Sequence, residues 1–373
     1  MQEQSHPWSP LSKRKGPCLA LGLMSGTSMD GVDAALLWTD GETVAEPRGF
    51  RFRPYPSAFR AAMADALLAP EERAPTLEAA LTDHHRDAVR ALLAETGTAP
   101  EAVSLIGFHG HTVLHRPAQR RTWQLGDGQR LADSLGLPVA CDFRSADVAA
   151  GGEGAPLAPV YHRALAARAP KPCTFLNLGG VANVTWIGPD EADLLAFDTG
   201  PANMLLDEWA LRHTGEPVDT GGRLALAGQV DDAALAALMA SPYFARKPPK
   251  SLDRLDFGLD AVAHLSPQDG AATLTAFTAA SIAAAVQHMP VAPKVWIVGG
   301  GGRLNPALMQ ALTRQLAAPI DPAEAHGING DALEAEAFAY LAVRSARGLP
   351  LSFPGTTGAP EPMSGGRLFM PRA

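Results

Sequence analysis

The sequence predicts an α/β protein built from two similar halves, because two segments about one domain apart repeat the same design. The first, at residues 18–37 (CLALGLMSGTSMDGVDAALL), has two apolar runs on either side of a turn rich in Ser, Gly, Thr and Asp. The second, at residues 173–188 (CTFLNLGGVANVTWIG), places Gly179 and Gly180 between two apolar runs. Both patterns are typical of β-hairpins.

Length, composition and charge fit a soluble globular protein with two hydrophobic cores. The chain has 373 residues, of which 46% are hydrophobic and 19% charged, and such a chain is long enough to form two domains. Its net charge of −8 at pH 7 argues against nucleic acid or an anionic membrane as the main partner. An acidic protein that binds an anion must do so locally, through amides, hydroxyls and a metal ion.

The cysteines and the chain start indicate a reducing, cytosolic setting. Cys18, Cys141 and Cys173 are odd in number and form no C-x-x-C pair, so reduced, buried thiols are expected. Residues 1–16 are rich in Pro, Ser and Lys and are expected to form a disordered leader, because the apolar stretch after them is too short for a signal peptide. The Ala-rich residues 271–289 carry Thr, Ser and Gln and predict a buried helix.

The turn of the first hairpin is a candidate phosphate site. Six of the seven residues at 25–31 are Ser, Gly, Thr or Asp, more than an ordinary turn, the alternative, needs. Gly26 and Gly31 allow a ligand close to the backbone, since they lack a Cβ atom. Hydroxyls and oriented amides bind anions, and carboxylates fit beside phosphate when hydrated Mg²⁺ bridges the two. The polar side chains concerned are Ser25, Thr27, Ser28, Asp30 and Asp33.

A third glycine-rich segment has a different design. Residues 295–298 predict a buried strand, and four glycines at 299–302 separate it from a helix with Asn305 as N-cap and Pro306 in its first turn. Strand, glycines and helix N-terminus form a nucleotide-binding arrangement. The segment is neither a P-loop nor a G-x-G-x-x-G motif, so by itself it is a weak indication.

Asp198 and Arg144 each stand near a predicted strand end. Ligand-facing residues occur at the carboxyl ends of strands in open parallel sheets, so Asp198 predicts a general base or a metal ligand; a helix-capping aspartate is the alternative. Arg144 predicts bidentate contact with a carboxylate or phosphate. An internal ion pair of Arg144 with Asp142 or Asp147 is an equal alternative.

Other polar residues are less specific. His109, His111 and His115 invite a metal site, but no fourth ligand is evident, so hydrogen bonding to a substrate is favoured. Asp127, between two glycines, is a site carboxylate or a turn residue, and the turn is favoured. Glu334 lies at the start of a predicted helix, where an acidic residue ordinarily interacts favourably with the helix dipole.

Taken together, these segments resemble the anhydro-N-acetylmuramic acid kinases, from Leu19 to the C-terminus. The resemblance implies a two-lobed, duplicated actin/hexokinase-like (ribonuclease H-like) α/β fold with ATP in an interlobe cleft. The segments that carry it are GLMSGTSMDGVD, FHGHTVLHRP, QLGDG, DFRSADVAAGGEGAP, NLGGVANVT, FDTGPANML, GGGGRLNPALM and DALEAEAFAYLA.

The resemblance also assigns roles to residues of this chain. It implies that Asp198 is the catalytic base and that Asp30 holds Mg²⁺ through water. The implied substrate-side residues are Arg144 and Glu334, to which His109 and His111 are added because of their position near a strand end. The implied ATP-phosphate segment comprises Gly26, Thr27, Ser28, Met29, Asp30, Gly31, Val32 and Asp33. Further cofactor-binding glycines are Gly179 and Gly180 in the second hairpin and Gly299, Gly300 and Gly301 beside the adenosine.

The repeat divides the chain after the leader into two lobes. Residues 17–150 and 345–373 are expected to form the first lobe, with the first phosphate hairpin. Residues 151–344 are expected to form the second, with the second hairpin, the catalytic aspartate and the adenosine-side glycines. Within it, residues 215–267 are rich in Pro, Gly and Asp and predict an excursion on the surface.

The family hydrolytically opens the bridge of 1,6-anhydro-N-acetylmuramic acid and phosphorylates O6 with ATP and Mg²⁺, giving N-acetylmuramic acid 6-phosphate in cell-wall recycling. A cytoplasmic homodimer is therefore expected. The chain has His111 and Glu153 where the family usually has Gln, and Ala202 where it commonly has Gly, which concerns sugar contacts more than the reaction. Two alternatives are a kinase of the same fold for another sugar and a non-catalytic ATP-binding protein.

Overall fold

A computed structural model describes residues 16–26, 29–190, 193–252 and 256–372. The predicted leader lies outside the described residues apart from Gly16. The chain divides into two compact units, one drawn from Met1–Ala167 and Ala332–Ala373 and the other from Arg168–Asp331. Each unit contains one β-sheet with helices around it.

Twelve strands and thirteen α-helices occur in the described chain. The strands are β1 Cys18–Ser25, β2 Gly31–Thr39, β3 Ala45–Pro54, β4 Leu105–Arg116, β5 Arg121–Leu125, β6 Val139–Cys141, β7 Cys173–Leu178, β8 Val181–Ile187, β9 Leu194–Pro201, β10 Trp296–Gly299, β11 Ile320–Pro322 and β12 Arg367–Phe369. The helices are α1 Ser57–Ala66, α2 Pro70–Arg73, α3 Glu78–Thr96, α4 Gly128–Leu135, α5 Ser145–Ala150, α6 Pro159–Leu165, α7 Asn203–Thr214, α8 Arg223–Ala227, α9 Asp232–Met239, α10 Pro267–Ala285, α11 Pro306–Gln315, α12 Leu333–Ala346 and α13 Pro354–Thr357.

The two sheets share one strand order, which confirms the predicted duplication. The first sheet runs β3–β2–β1–β4–β6–β12, with β5 paired to β4, and the second runs β9–β8–β7–β10–β11. In each, three antiparallel strands are followed by two parallel ones. The predicted hairpins are β1–β2 and β7–β8, at equivalent positions in the two sheets. The mixed α/β, duplicated fold class is therefore correct.

Helices cover both faces of the first sheet. Leu21, Leu23 and Ile106 join the core formed with α3 on one face, whereas Gly22 and Gly107 lie under α12 on the other. A Cβ atom at Gly22 would stand 1.8 Å from the Ala335 carbonyl oxygen, and one at Gly107 would stand 2.0 Å from the Phe338 carbonyl oxygen. The paired glycines therefore allow α12 to lie directly on the sheet.

The unit boundaries differ from the predicted ones, because α6 and α12 belong to the first unit rather than the second. The two helices are joined by a 2.6 Å hydrogen bond from the Tyr161 hydroxyl to Glu336 Oε2, and α12 packs against β1, β2 and β4. Helix packing partners depend on contacts distant in sequence, so the position of the two hairpins along the chain does not reveal them.

The second unit has two hydrophobic clusters, and the prediction that residues 215–267 lie on the surface is wrong. Tyr243, Phe244 and Val262 from this segment are buried in the cluster that also includes Phe277 of α10. The predicted buried helix is confirmed as α10. Within the described chain, the stretch Pro267–His288 is long and apolar enough to cross a membrane, but 67% of its apolar window is buried in the protein, as in a core helix.

None of the three cysteines, all of which lie in the described part of the chain, forms a disulfide bond. Cys173 is buried, whereas Cys18 and Cys141 are half-buried, so the prediction of burial is correct for Cys173 alone. Burial raises the pKa of the Cys141 thiol to about 12 and that of Cys173 to about 11. Both thiols therefore stay protonated and unreactive near neutral pH.

Candidate active site

Polar residues form a row across the sheet of the second unit. Asn177 on β7 pairs with Asn183 on β8, which pairs with Asp198 on β9, and Gly299 of β10 pairs with Asn177 on its other side. Directly paired residues on neighbouring strands share a face of the sheet. Asn177, Asn183 and Asp198 are half-buried in mostly buried strands. The row therefore joins the predicted base to the predicted adenosine-side glycines.

Asp198 is held by backbone groups of a segment about fifty residues further along the chain. The Leu252 amide donates to Asp198 Oδ2 at 2.9 Å, and the Asp198 amide donates to the Lys250 carbonyl at 3.0 Å. Burial raises the pKa of the Asp198 carboxyl to about 6, against the opposing effects of the Leu252 amide and the Lys250 ammonium. A carboxyl with this pKa is ionised at neutral pH and able to accept a proton.

The helix-capping alternative for Asp198 is wrong. The N-cap residue of α7 is Ala202, whose side chain makes no capping hydrogen bond. The amides at the helix start donate instead to the second hairpin: Asn203 to the Gly179 carbonyl at 3.0 Å, and Met204 to the Gly180 carbonyl at 3.1 Å. The Asp198 side chain therefore does not cap α7 and belongs to the polar row.

The two glycines of the second hairpin keep open space around them. The nearest atom to a Cβ built at Gly179 is Asn177 Nδ2 at 3.4 Å, and at Gly180 it is Met204 Cβ at 3.6 Å. Packing within the chain thus does not require glycine at either position. Phosphate binding at Gly179 and Gly180 stays a prediction.

The glycines predicted to border the adenosine differ in how closely other atoms surround them. Gly300 has a left-handed φ of 76°, and a Cβ there would stand 2.5 Å from Asn177 Oδ1. At Gly301 no atom lies within 4 Å of a built Cβ. Asn305 caps α11 as predicted, accepting from the amides of Ala307 at 3.0 Å and Leu308 at 3.4 Å. The helix therefore starts at Pro306, shortly after the last of the four glycines.

The first hairpin turn is only partly described, since Thr27 and Ser28 lie outside the described residues. The Met29 amide donates to the Gly26 carbonyl at 3.1 Å, and Met29 has a left-handed φ of 54°. Asp30 is exposed at the tip, with its carbonyl accepting from Tyr55 at 2.9 Å. The described part of the turn thus exposes Asp30 to solvent.

Two residues of this predicted phosphate segment have mainly structural surroundings. A Cβ at Gly31 would stand 2.3 Å from the Arg53 carbonyl oxygen, so close approach of β3 alone requires glycine there. Val32 is fully buried in the core, so its side chain does not face a ligand. Asp33 is half-buried in β2.

A chain of hydrogen bonds lies beneath the turn. The Tyr55 hydroxyl donates to Ser25 Oγ at 2.9 Å, and Ser25 Oγ is 3.1 Å from Nδ1 of His111. His111 is fully buried, and burial lowers its pKa. Direct contact of His111 with a substrate is therefore not supported in this conformation; its ring supports the residue that precedes the turn.

Arg144 is directed by His109 and a loop carbonyl. Its Nε donates to His109 Nε2 at 3.0 Å, and its Nη1 donates to the Gly154 carbonyl at 2.7 Å. Its guanidinium carbon lies 5.9 Å from the centre of the Phe338 ring. Burial lowers the pKa of Arg144 to about 10, so the guanidinium stays charged near neutral pH.

The ion-pair alternative for Arg144 is not supported. Among the described residues, Arg144 forms no direct ion pair with Asp142 or Asp147. The buried Asp147 accepts from the Gly154 amide at 2.6 Å and from the hydroxyls of Ser352 and Thr357. Asp147 therefore holds the loop that carries Gly154, and it acts on Arg144 through electrostatics without a direct ion pair.

Glu334 lies in the first turn of α12 and reaches solvent. Although the side chain reaches solvent, neighbouring atoms partly desolvate the carboxyl and raise its pKa; Arg144 opposes this rise, and Asp30 adds to it. The first unit thus brings Glu334, Arg144 and Asp30 close enough to interact electrostatically. The first-turn position also fits the helix dipole, so the dipole and the substrate-side role are compatible.

A transition-metal site at the histidines is not supported. Within the described ranges, no group of three or more His, Cys, Asp or Glu side chains is arranged to hold a metal. Mg²⁺ has other needs, since it keeps several waters and takes one or two carboxylates plus substrate phosphates. The exposed Asp30 carboxylate at the hairpin tip fits that donor set.

The sequence matches the family described as "Anhydro-N-acetylmuramic acid kinase" over residues 18–371. The chain belongs to the anhydro-N-acetylmuramic acid kinase family. A member from Paramagnetospirillum magneticum is 57% identical over 358 residues, covering 95% of this chain and 100% of that protein. A member from Rhizorhabdus wittichii is 52% identical, covering 95% of this chain and 99% of that protein. A member from Rhodospirillum rubrum is also 52% identical, covering 96% of this chain and 96% of that protein. The resemblance inferred from the motifs is confirmed.

Three residues around the site of this kinase-family member were not foreseen. Lys250 and Tyr243 surround Asp198 from the segment interpreted as surface. Arg303, of which 5% of the side chain is exposed, donates from Nη1 to the Gly300 carbonyl and to Asp331 Oδ1, each at 3.0 Å. Its position directly after the four glycines was a visible signal, whereas no local pattern marks Lys250.

Proposed function

We propose that this chain is an ATP-dependent kinase that opens the 1,6-anhydro bridge of 1,6-anhydro-N-acetylmuramic acid and phosphorylates O6. The product is N-acetylmuramic acid 6-phosphate, an intermediate of peptidoglycan recycling and amino-sugar catabolism. Family membership at 57% identity supports the substrate. The observation that carries the chemistry is Asp198, a half-buried carboxylate with one oxygen held by the Leu252 amide and a pKa of about 6.

In the proposed reaction Asp198 accepts a proton from a water molecule as that water attacks the anomeric carbon. The new bond joins the water oxygen to C1, and the C1–O6 bond of the bridge breaks. O6 takes the γ-phosphoryl group, and ADP leaves. An ordinary glycosidase needs a second carboxylic acid to protonate the leaving oxygen; here phosphoryl capture of O6 makes one base sufficient.

The phosphate-side roles follow the chemistry of the first hairpin. Its backbone amides are proposed to bind the ATP phosphates. Gly179, Gly180 and Gly299–Gly301 are proposed, within the second unit, as cofactor-binding residues. Asp30 is proposed to hold Mg²⁺ through water, and Mg²⁺ would neutralise phosphate charge. Preorganised amides stabilise the charge that develops in phosphoryl transfer.

Arg144 and Glu334 are proposed to hold the sugar. Arg144 suits the lactyl carboxylate of the muramic acid, because a guanidinium binds a carboxylate in bidentate fashion. Its Nη2 has no hydrogen bond among the described residues, whereas Nε and Nη1 are engaged. Glu334 suits a sugar hydroxyl. A homodimer in the cytoplasm, without nucleic acid or membrane partners, completes the proposal.

The test is turnover of 1,6-anhydro-N-acetylmuramic acid with MgATP in ¹⁸O-labelled water. The expected product carries a phosphate on O6 and one ¹⁸O at the anomeric position. N-acetylmuramic acid 6-phosphate incubated without the protein corrects for exchange of that oxygen. A phosphorylated sugar without the label would indicate a kinase for an ordinary hydroxyl, and absence of ADP formation would indicate a non-catalytic protein.

A further inference from the structure

The segment at residues 243–252 contacts Asp198 through other groups besides the Leu252 amide. The Tyr243 hydroxyl donates to the Asp198 carbonyl oxygen at 2.7 Å. The backbone of Asp198 is therefore held at its amide by Lys250 and at its carbonyl by Tyr243, in addition to the hydrogen bond at Oδ2. Such contacts limit the movement of the carboxylate relative to β9.

Lys250 anchors this segment through its side chain. Only 6% of the residue is exposed, and Nζ donates to the carbonyls of Tyr243 at 3.1 Å and Phe244 at 3.4 Å. Nζ also lies 4.6 Å from the centre of the Tyr243 ring, within the range of a cation–π contact. By contrast, Lys247 in the same segment is exposed.

A buried ammonium is costly unless its surroundings compensate it. Burial lowers the pKa of Lys250 to about 8, with Arg246 adding to the effect and Asp198 opposing it. Two carbonyls and the rings of Tyr243 and Phe197 satisfy the cation only in part. A lysine in this position therefore weakens local stability, which is typical of groups retained for a function.

We propose that Lys250 and Tyr243 are positioning residues for the Asp198 carboxylate. Lys250 ties residues 250–252 to the Tyr243–Phe244 backbone, so that the Leu252 amide meets Oδ2. Tyr243 fixes the main chain of Asp198 through its hydroxyl. The proposal rests on the proposed role of Asp198 as the base. It assigns a role to two residues that take no part in the proposed reaction itself.

The charged groups around Asp198 determine the pH at which its carboxyl loses a proton. Lys250 is the charged side chain of the described chain that acts on Asp198, and it lowers the pKa of the carboxyl. Arg246 lies 5.4 Å from the Tyr243 ring centre, Asp256 interacts with Tyr243, and His288 Nε2 hydrogen-bonds the Phe244 carbonyl at 2.9 Å. Removing the Lys250 charge therefore raises the pH at which Asp198 loses its proton.

The experiment compares Lys250→Met and Tyr243→Phe with Lys247→Met as the matched control. Lys250→Met is expected to lower kcat/KM for the anhydro sugar by about tenfold to 10²-fold, as misplacement of a catalytic group does. In the pH profile of its kcat/KM, the acidic limb, along which Asp198 becomes protonated, moves to higher pH. Its KM for ATP stays within about twofold of wild type. Tyr243→Phe lowers kcat but leaves the limb in place, because the hydroxyl is neutral. Lys247→Met behaves as wild type.

Lys250→Arg separates charge from packing. It is expected to restore the wild-type position of the acidic limb even where kcat/KM stays low. Circular dichroism and thermal melting show whether Lys250→Met folds. If it does not, Tyr243→Phe and Lys250→Arg provide the test of the proposal. Wild-type kcat/KM and an unmoved limb in the folded variants overturn the proposal. Full turnover by Asp198→Asn instead overturns the assignment of the base itself, so the two failures are distinguishable.

Discussion

Arg144 Nε donates a 3.0 Å hydrogen bond to Nε2 of His109, and this contact determines which nitrogen of the histidine carries the proton. A guanidinium has donors only, so His109 Nε2 is the acceptor. Its Nδ1–H donates to the Gly110 carbonyl at 3.0 Å. Burial, with the Arg144 charge adding to it, holds the pKa of His109 well below its ordinary value. His109 is thus a neutral support for Arg144.

Replacing His109 tests this support. We expect His109→Phe to raise KM for the anhydro sugar by about tenfold, because an unpaired Arg144 Nε costs on the order of 1–3 kcal/mol. His109→Gln keeps an acceptor oxygen and is expected to retain most of the affinity. Steady-state kinetics with saturating MgATP measure both. Equal KM values for the Phe variant and wild type would contradict a positioning role.

Asp198→Asn is expected to lose turnover and gain stability. Loss of the base lowers kcat by about 10²–10⁴-fold, with ATP binding retained. The folded carboxyl has a pKa of about 6, above its ordinary 3.8, so the folded state holds more protons than the unfolded one between these values. Its contribution to stability is therefore present below pH 4 and lost as pH rises through 6. At pH 7 the Asn variant avoids that loss.

The matched control for Asp198→Asn is Asp207→Asn. Burial also raises the pKa of Asp207 to about 6, but this residue lies on α7, outside the polar row. A pKa rise of this size corresponds to about 3 kcal/mol, and solvent screening at these partly exposed carboxyls reduces it. Both variants are therefore expected to gain about 1 kcal/mol at pH 7, measured by urea unfolding. Only Asp198→Asn is expected to lose activity. Loss of turnover in both would indicate a general effect of neutralising buried carboxylates.

The glycine pair under α12 predicts a strong packing effect. Gly107→Ala places a methyl group 2.0 Å from the Phe338 carbonyl oxygen, and overpacking of this kind costs about 3 kcal/mol. Because α12 carries Glu334, its displacement is also expected to raise KM for the sugar. Gly258→Ala is the control, since no atom lies within 4 Å of a Cβ there. Urea unfolding of both variants gives the comparison.

The hydrogen-bond chain to His111 predicts a defined tautomer. Because Tyr55 donates to Ser25, the Ser25 hydroxyl is expected to donate to Nδ1 of His111, leaving the proton on Nε2. His85 has the opposite arrangement, since its Nδ1 contacts the Leu81 carbonyl at 2.8 Å. Nitrogen chemical shifts of the two rings near pH 7 measure this. In Tyr55→Phe the serine is free to turn, and a mixture of His111 tautomers is expected.

A proton on Nδ1 of His111 in the wild-type protein would contradict this direction of the chain. Both Nε2 atoms, of His85 and His111, are buried without a partner among the described residues. The expected tautomers make Nε2 of His111 a donor and Nε2 of His85 an acceptor.

The sequence by itself determined the features that lie within a few residues of one another. The two hairpins, the capped helix after Gly299–Gly302 and the strand-end position of Asp198 all depend on local backbone preferences, which apolar runs, glycines and capping residues encode directly. The shared strand order then confirmed the duplication.

Only the tertiary structure decided what surrounds those features. Lys250 and Tyr243 meet Asp198 from positions about fifty residues away, and α12 joins the first sheet because Gly22 and Gly107 leave room for it. His109 changed from a substrate contact to a support for Arg144 because its two nitrogens are both engaged. Such contacts depend on burial and on the packing of distant segments, for which a single sequence contains no periodic signal.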